Sequence, residues 1–486
     1  MPTDRARATR VLGASDLHLV ERFSYGITPR LAGQVRRAGG AAAWFAAQLE
    51  PARGADPADD YSLWWPYLAK SPDELWEASR AKEMGGGEVM ADLQNFVLLR
   101  RIHSERQVLE VMTEVWENHF NVPVREDKVF TWRRDYGDVV RAHALGTFRG
   151  LLRALEVHPA MLLFLDAAVN DRDKPNENLG RELLELHTVG IGEHDEDDVK
   201  AAARVLTGWY VDPRTFAASY ETARHWTGPL SVVDWSHDNA DPDGRAVTDS
   251  LLDHLARHPA TARRVCRMLA VKFVSDTPSD ALVESLAAVY LAEDTAIVPV
   301  LQHLVASDEF AAARGAKVRD PAADLVATYR AVRPRFSRPP SGTSGRRHAA
   351  NMLNYQSSTM GSAPGAWPQP DGQPIDNASW ASPARMIASL RMHWYVANGY
   401  FPSKGIRYRT PQQWLPAKRV RFDDLVDHMS RELLGRKADK RLVRACAKAC
   451  KITRPSERIH RRHALVKWHF GRLTSTILDT PEHFTR

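Results

Sequence analysis

The segment from Trp116 to Phe120 holds the first side chains that could do chemistry, the adjacent residues Asn118 and His119. His119 follows Trp116 by three residues and Met112 by seven, which places its imidazole on the apolar face of a helix. A histidine on that face can be a metal ligand, a proton carrier or a hydrogen-bonded core residue. We predict that His119 is a proton carrier or ligand and that Asn118 gives neutral hydrogen bonds to a substrate.

A second group of candidate residues contains two carboxylates, Glu182 and Glu185, next to Arg181. If they face a cavity, Glu182 and Glu185 could act as bases, share a proton or bind a cation. Arg181 would then orient an anionic substrate group or hold a carboxylate. The alternative is a surface ladder, because Glu177, Arg181 and Glu185 are spaced four residues apart along a helix.

Asn178 and His187 flank these acids and are predicted to bind substrate. Di-metal carboxylate bundles use Glu-x-x-His on two helices, and this segment lacks that spacing. The cofactor is therefore unknown, with a divalent metal ion as one candidate.

Trp209, His237 and Asp238 complete the predicted substrate-binding set. His237 and Asp238 resemble a base with an orienting acid, but neighbouring residues in a strand point to opposite faces. The chain has no Gly-x-Ser-x-Gly, His-Glu-x-x-His or strand-linked Gly-x-Gly-x-x-Gly motif. Esterase, zinc protease and dinucleotide-binding functions therefore have no support.

The elements that carry these residues are predicted to be helices. Ser104 with Gln107 has the spacing of a capping box that opens the His119 helix, with Glu114 and Glu117 on its polar face. A second helix is predicted from Asp173 to Gly190, because aspartate favours the N-cap and glycine the C-terminal cap.

Further helices are predicted from Asp195, which is paired with Asp198 at its start, and between residues 251 and 314. Residues 217–223 and 230–233 could form short strands at most. The fold class is therefore mostly α, a multi-helix globular fold with long loops and at most a short β-hairpin. We divide the chain into a main helical domain (1–335), a Pro/Gly/Trp loop region (336–384) and a basic helical C-terminal part (385–486).

Composition limits the class of protein. The three cysteines cannot build a disulfide scaffold, and no apolar run is long enough to span a membrane. The N-terminus lacks the pattern of a secretory signal, which predicts a cytoplasmic location without membrane contact. Residues 401–486 carry a net charge of +13 and the first 400 residues −7. This asymmetry favours docking on an acidic surface or partner over nucleic-acid binding.

Several blocks of the sequence resemble a known bacterial family, domain of unknown function 1800. They include the Trp116 to Val122 segment, the run from Asn176 to Gly190, the stretch from Asp198 to Trp209, and the Trp367-Pro368 loop leading to Trp380. The resemblance covers roughly residues 15–400. It implies a shared helical fold and a shared polar centre, but no reaction.

Three functions stay open at this point. The first is an enzyme of unknown reaction with a site between the His119 helix and the helix that ends at Gly190. The second is a non-catalytic scaffold or partner-binding protein, whose partner would be an acidic protein or a small molecule. The third is nucleic-acid binding through the basic C-terminal part.

Overall fold

The computed structural model describes residues 9–51, 54–125, 128–340 and 345–486. The helices of the first half are α1 (Ala14–Arg22), α2 (Pro29–Ala38), α3 (Ala41–Leu49), α4 (Pro72–Arg80), α5 (Gly86–His103), α6 (Gln107–His119), α7 (Arg133–His143), α8 (Phe148–Glu156), α9 (Pro159–Phe164), α10 (Glu177–Glu182) and α11 (Glu196–Val205). Those of the second half are α12 (Arg245–Arg257), α13 (Pro259–Phe273), α14 (Asp280–Ala292), α15 (Ile297–Ala306), α16 (Asp308–Ala312), α17 (Pro321–Val332), α18 (Leu353–Thr359), α19 (Asn377–Trp380), α20 (Pro383–Asn398), α21 (Phe422–Leu434), α22 (Lys440–Cys450), α23 (Phe470–Leu478) and α24 (Pro481–Phe484). The prediction of a mostly helical fold is confirmed.

The strands are short and form antiparallel pairs. They are β1 (Trp209–Val211) with β2 (Ala218–Tyr220), β3 (Leu230–Val232) with β4 (Trp235–His237), β5 (Arg335–Phe336) with β6 (Ile406–Arg407), and β7 (Arg419–Arg421) with β8 (Arg458–His460). The two segments predicted as possible strands do contain β2 and β3. They pair with β1 and β4 and not with each other, so the described residues contain more than the single hairpin expected.

One hydrophobic core runs from the N-terminal helices into the C-terminal part. All twelve residues of α17 are buried, and this helix packs against α5, α18, α20 and α21. A helix buried all round belongs to the centre of a globular fold. The C-terminal helices therefore pack internally, while the domain boundaries proposed from the sequence remain a prediction.

α6 begins later than predicted. The predicted capping box of Ser104 and Gln107 is absent, because the N-cap residue is Arg106. The Oγ of Ser104 instead accepts a hydrogen bond from the Arg106 N–H at 2.9 Å. The predicted polar face of α6 is buried as well. Only 6% of Glu114 is exposed to solvent, since charged side chains of other helices cover it.

The helix predicted from Asp173 to Gly190 is shorter and irregular. Asn176 is its N-cap, with Oδ1 accepting from the Leu179 N–H at 2.9 Å, so the prediction of Asp173 as the cap is wrong. After Glu182 the chain continues as a π-helix, Leu183–His187. A single π-helical turn inside a helix often occurs at a functional site.

Two other predictions about helices are confirmed. Asp195 and Asp198 form a capping box at the start of α11. The helices predicted between residues 251 and 314 are present, and Cys266 and Phe273 of α13 are fully buried on its apolar face. Local sequence was sufficient here because both signals lie within one element.

Gly180 lets α10 and α11 approach closely. A Cβ at this position would lie 2.6 Å from the carbonyl oxygen of Val199 and 2.9 Å from the amide nitrogen of Ala203. Both atoms belong to the backbone of α11, which cannot move aside cheaply. The absence of a side chain at Gly180 thus sets the distance between α11 and α10, the helix that carries Glu182.

Candidate functional site

A cavity of about 350 Å³ lies at the C-terminal end of α6. One wall is α6, a second is α13, and the third is the loop between α18 and α19. The lining residues are Glu114, Val115, Asn118, His119, Arg264, Met268, Lys272, Trp367, Asp371, Gly372, Gln373, Pro374 and Ile375. Of the residues predicted to form a site, Asn118 and His119 line this cavity.

The imidazole of His119 is held in one orientation. Its Nε2 lies 3.1 Å from the carbonyl oxygen of His187, so Nε2 carries the proton and donates it. The ring packs edge-on against Trp116, Phe120 and Phe148. Nδ1 makes no hydrogen bond within the described residues, which leaves its lone pair available to a molecule in the cavity.

His119 is neutral at physiological pH. Burial lowers the pKa of its imidazole to about 3, and the neighbouring His187 and Arg264 lower it further in the same direction. Desolvation disfavours the charged form of a histidine, and a nearby cation adds to that effect. Nδ1 of His119 is therefore a hydrogen-bond acceptor.

α13 supplies a polar stripe to the cavity. Arg264, Met268 and Lys272 are spaced four residues apart and share one face of the helix. The Nη2 of Arg264 donates to the carbonyl oxygen of Leu186 at 3.0 Å. No carboxylate of the described residues lies within ion-pairing distance of this guanidinium group, and burial lowers its pKa.

Lys272 differs from Arg264 because its charge is neutralised. Its Nζ lies 2.7 Å from Oε1 of Glu114. Oε2 of the same carboxylate accepts from the hydroxyl of Tyr25 at 2.5 Å and lies 3.1 Å from Nη1 of Arg101. These side chains form a hydrogen-bonded ion cluster beneath the cavity.

The loop of residues 361–376 covers the cavity. Asn118 fixes it at two points, because its Nδ2 donates to the Gln373 carbonyl at 2.9 Å and its Oδ1 accepts from the Gln373 N–H at 2.7 Å. Gly372 has a φ of 72°, and a Cβ there would lie 2.0 Å from the Asn118 carbonyl oxygen. Trp380 is 8% exposed and donates its Nε1–H to Pro374. Asn118 therefore holds the loop, a different contact from the predicted one with substrate.

The predicted acids do not line this cavity. Arg181 forms a two-pronged ion pair with Glu196 at 2.8 and 2.7 Å, and its Nη1 lies 3.4 Å from Glu185. Glu185 also lies 3.8 Å from Nε2 of His194. The structure thus places Arg181 and Glu185 in an ion-pair network that joins α10 to the start of α11.

The side chains of His187 and Glu182 do not line the cavity. The Nδ1 of His187 is 2.9 Å from Oε2 of Glu156, and both side chains are buried almost completely. Glu182 is half-buried, and burial raises its pKa, with His187 acting in the opposite direction. The main-chain carbonyl of His187 accepts the hydrogen bond from His119, and the two imidazole rings lie 6.4 Å apart between centroids.

The remaining predicted residues lie elsewhere. Asn178 and Asp238 are exposed. His237 stacks on Trp235 at the end of β4, and its Nδ1 accepts from the N–H of Asn239. Trp209 packs edge-on against Tyr220. None of these side chains lines the cavity beside His119.

Asp324, His393 and His483 bring ligand-type atoms within 4.8 Å of one another in the core. Oδ1 of Asp324 lies 3.1 Å from Nε2 of His393 and 3.6 Å from Nε2 of His483. Oδ2 accepts from Arg385 at 3.2 Å, and Nδ1 of His393 lies 2.9 Å from Asp479. Because these atoms already have polar partners, the group fits a hydrogen-bonded ion cluster.

Sequence reasoning missed Arg264, Lys272 and Gln373. The sequence does show a second face of α13, distinct from its apolar face, on which Arg264, Met268 and Lys272 are spaced four residues apart. Arg263 and Arg267 of the same helix are exposed. The local sequence does not distinguish an arginine in solvent from one that lines a cavity, so this face was not recognised. Gln373 contacts Asn118 across 255 residues, and no spacing rule could find it.

A search of the described helices finds none that combines the length and apolar character needed to cross a membrane. No curated protein and no solved structure matches the chain. Residues 18–485 match the family model described as "Protein of unknown function (DUF1800)". The match extends the resemblance seen in the sequence blocks through the C-terminal helices. The chain therefore belongs to the DUF1800 family.

Proposed function

We propose that this protein is an enzyme that acts on a small anionic molecule bound in the cavity beside His119. In this proposal Arg264 binds the anionic group, and Nδ1 of His119 accepts a proton from the substrate. The observation that carries the proposal is the guanidinium group of Arg264, which has no carboxylate partner among the described residues and shares its cavity with a free imidazole nitrogen.

The argument for an anion rests on the cost of burying charge. A partly buried cation without a counter-ion loses hydration energy, and no ion pair compensates for that loss. A carboxylate or phosphate group in the cavity would pair with Arg264 through charge-assisted hydrogen bonds. Of the two acids that line the same cavity, Glu114 is already neutralised by Lys272 and Arg101, and the exposed Asp371 accepts a hydrogen bond from Nε1–H of Trp367 at 3.1 Å. This set of charges suits an anion better than a divalent cation, which requires several free oxygen ligands.

Binding of an anion would also change His119. A negative charge close to an imidazole favours its protonated form and raises its pKa from the low value that burial causes. The bound substrate would thereby make His119 a better proton acceptor, as general base catalysis requires. His187 would act as a positioning residue, because its carbonyl fixes the tautomer of His119.

Succinate and inorganic phosphate are suitable probes for the anion site. We expect a probe that binds to show saturable binding. Arg264→Gln should weaken that binding about tenfold, because the charge-assisted contact with the anion is lost. Isothermal titration calorimetry measures the affinity. Arg263→Gln is the matched control, because Arg263 is exposed on the same helix and pairs with Glu284 at 2.9 Å. Equal affinity of wild type and Arg264→Gln for succinate would contradict the anion site.

Catalysis needs a separate readout. Wild-type protein and His119→Asn are incubated with a mixture of anionic metabolites, and mass spectrometry follows the amount of each compound. We expect the wild type to consume at least one compound and His119→Asn to leave it unchanged while still binding the probe. Binding without turnover in the wild type would favour the non-catalytic partner-binding function.

A specific observation favours nucleic-acid binding as a second candidate function. α22 and the segment that follows it present cations that have no carboxylate within 4 Å among the described residues. These are Arg441, Arg444, Lys448, Lys451, Arg454, Arg458, Arg461, Arg462 and Lys467. Trp468 follows Lys467 in the chain, and 77% of its surface is exposed. Basic side chains around an exposed aromatic ring are typical of surfaces that bind single strands.

This second function predicts a strong dependence of affinity on salt. We expect a fluorescent single-stranded oligonucleotide to bind more weakly as salt rises, because bound cations of the nucleic acid are released on binding. The triple variant Arg441→Gln/Arg444→Gln/Lys448→Gln is expected to reduce the slope of log K against log salt by about 2, roughly 0.7 for each lost phosphate contact. Fluorescence anisotropy measures both values. No binding at low salt, or an unchanged slope in the variant, would exclude this function.

A further inference from the structure

A smaller cavity of about 170 Å³ lies at the opposite end of α6, next to its first residue. It is formed where the start of α2 and the ends of α5 and α17 meet the start of α6. The polar residues that line it are Thr28, Arg30, Gln34, His103, Ser104, Glu105, Gln107, Tyr329, Arg330 and Arg333. Neither the predicted site residues nor the proposed enzyme site uses any of them.

Arg330 is the central feature of this cavity. It is 6% exposed, and its Nε and Nη1 donate to the carbonyl oxygens of Gly26 at 3.1 Å and Ile102 at 2.9 Å. Its Nη2 has no hydrogen-bond partner among the described residues. No carboxylate of those residues forms an ion pair with the Arg330 guanidinium group. Burial lowers the pKa of Arg330 to about 9, and the positive charge of Arg319 acts in the same direction. Arg330 is thus a buried cation fixed in orientation with one donor left over.

The N-terminus of α2 provides a second source of donors. Thr28 caps this ten-residue helix by accepting from the Leu31 N–H at 3.0 Å, and Pro29 has no N–H. The backbone N–H of Arg30 then has no acceptor among the described residues. Free N–H groups and the helix dipole make such an end attractive to an anion.

Arg333 and His103 complete the walls. Arg333 ends α17 in the left-handed region with a φ of 56°, which is uncommon for a residue with a side chain. Its Nη2 pairs with Glu432 at 2.5 Å, whereas its Nε is buried without a partner in the described part of the chain. Nε2 of His103 is likewise buried and unpartnered there. Arg333 and His103 thus line the cavity beside Arg330 and the start of α2, and side chains from three helix ends meet there.

We infer that this cavity binds a phosphate group, either free inorganic phosphate or the terminal phosphate of a small molecule. Arg30 pairs with Glu105 and Arg333 with Glu432, whereas Arg330 has no carboxylate partner among the described residues, so an anion would balance its charge. The donors come from the start of α2, the end of α5 and the end of α17. A tetrahedral oxyanion offers acceptors in several directions, whereas a carboxylate offers them in one plane.

The volume limits the ligand. Sites for drug-sized molecules measure roughly 300–1,000 Å³, and this cavity is about 170 Å³. It accommodates the phosphate group, with any organic part of the ligand lying outside. The inference does not depend on the proposed enzyme site, which uses different residues at the other end of α6.

The test is a calorimetric titration with inorganic phosphate and with glycerol 3-phosphate, carried out in the Arg264→Gln protein, in which the proposed anion site beside His119 binds about tenfold more weakly. We expect saturable binding of at least one probe. Binding of inorganic phosphate alone identifies free phosphate as the ligand, and binding of both identifies a phosphate group in general. Arg330→Lys is expected to weaken binding at least tenfold, because lysine cannot keep both carbonyl contacts and reach the anion.

Arg330 donates hydrogen bonds to the backbone, so Arg330→Lys could also affect folding. A second variant, which does not disturb the backbone, therefore tests the same cavity. Arg30→Gln changes a side chain that is 74% exposed, and we expect it to weaken phosphate binding about threefold without altering the melting temperature. Arg37→Gln, an exposed position on the same helix, should bind like the parent. Absence of saturable phosphate binding, or equal affinity in the parent, Arg330→Lys and Arg30→Gln, would overturn the inference.

Discussion

Replacing Glu114 with glutamine is expected to lower the free energy of unfolding by about 3–5 kcal/mol, because the change leaves buried cations without their counter-ion. Glu114 lies 2.7 Å from Lys272 and 3.1 Å from Arg101, and the three side chains are nearly inaccessible to solvent. Burial alone would raise its pKa, yet the charges of Lys272 and Arg101 hold the pKa of Glu114 well below its usual range. The carboxylate is therefore ionised in the folded protein at neutral pH.

Chemical denaturation followed by circular dichroism measures this loss. Glu284→Gln is the control, since Glu284 forms an exposed pair with Arg263 and should lose at most about 1 kcal/mol. The double variant Glu114→Gln/Lys272→Met should recover part of the loss, because it removes the charge that the single variant leaves unpaired. A loss below about 1 kcal/mol in Glu114→Gln would show that water reaches Lys272.

Asp324→Asn is expected to have an effect of similar size, about 3–5 kcal/mol. Asp324 is fully buried, with His393 on one carboxylate oxygen at 3.1 Å and Arg385 on the other at 3.2 Å. Asparagine keeps the shape of the side chain but cannot neutralise these two groups. The loss would mainly be the cost of leaving them buried without a partner.

The ion cluster also predicts how stability varies with pH. Although burial alone would lower it, the charge of Asp324 raises the pKa of His393 to about 9, from 6.5 in an exposed histidine. A raised histidine pKa contributes stability below pH 6.5, and this contribution is lost as pH rises toward 9. Burial would raise the pKa of Asp324, but His393 and Arg385 lower it, so the contribution of Asp324 is lost as pH falls below about 4.

Unfolding measured at pH 6, 7.5 and 9 checks this dependence. In Asp324→Asn we expect a smaller decrease in stability between pH 6 and 9, because His393 then keeps only Asp479 as a carboxylate partner. Asp423→Asn is the matched control, since Asp423 pairs with Arg421 near the surface. Parallel pH profiles for the wild type and Asp324→Asn would contradict the assignment of a charged His393.

Both large effects concern polar side chains that hold helices together, which is what a scaffold protein would show as well. The difference lies in the charges that remain unmatched. Glu114 and Asp324 are paired on every side, whereas Arg264 has no carboxylate partner among the described residues and lines a cavity. The proposed enzyme function therefore depends on Arg264 and His119, and the stability variants do not test it.

Local sequence determined the class of fold and several helix ends. The start of α11 at Asp195 and Asp198 and the helices between residues 251 and 314 were predicted because cap and periodicity signals require only neighbouring residues. His119 was correctly assigned to the inward side of α6 by its spacing from Trp116.

The tertiary structure decided which polar side chains meet. The predicted site paired His119 with Glu182 and Glu185, but the residues that share its cavity are Arg264 and Lys272, more than 140 positions away in the chain. Glu114 looked like part of a polar face, and it is buried by Tyr25, Arg101 and Lys272. Helical periodicity separates the faces of one helix, but the charge that another helix brings to a face follows from long-range packing. A polar face is solvated or buried according to that packing, and for this reason the sequence alone predicted the helices and left the composition of the site to the fold.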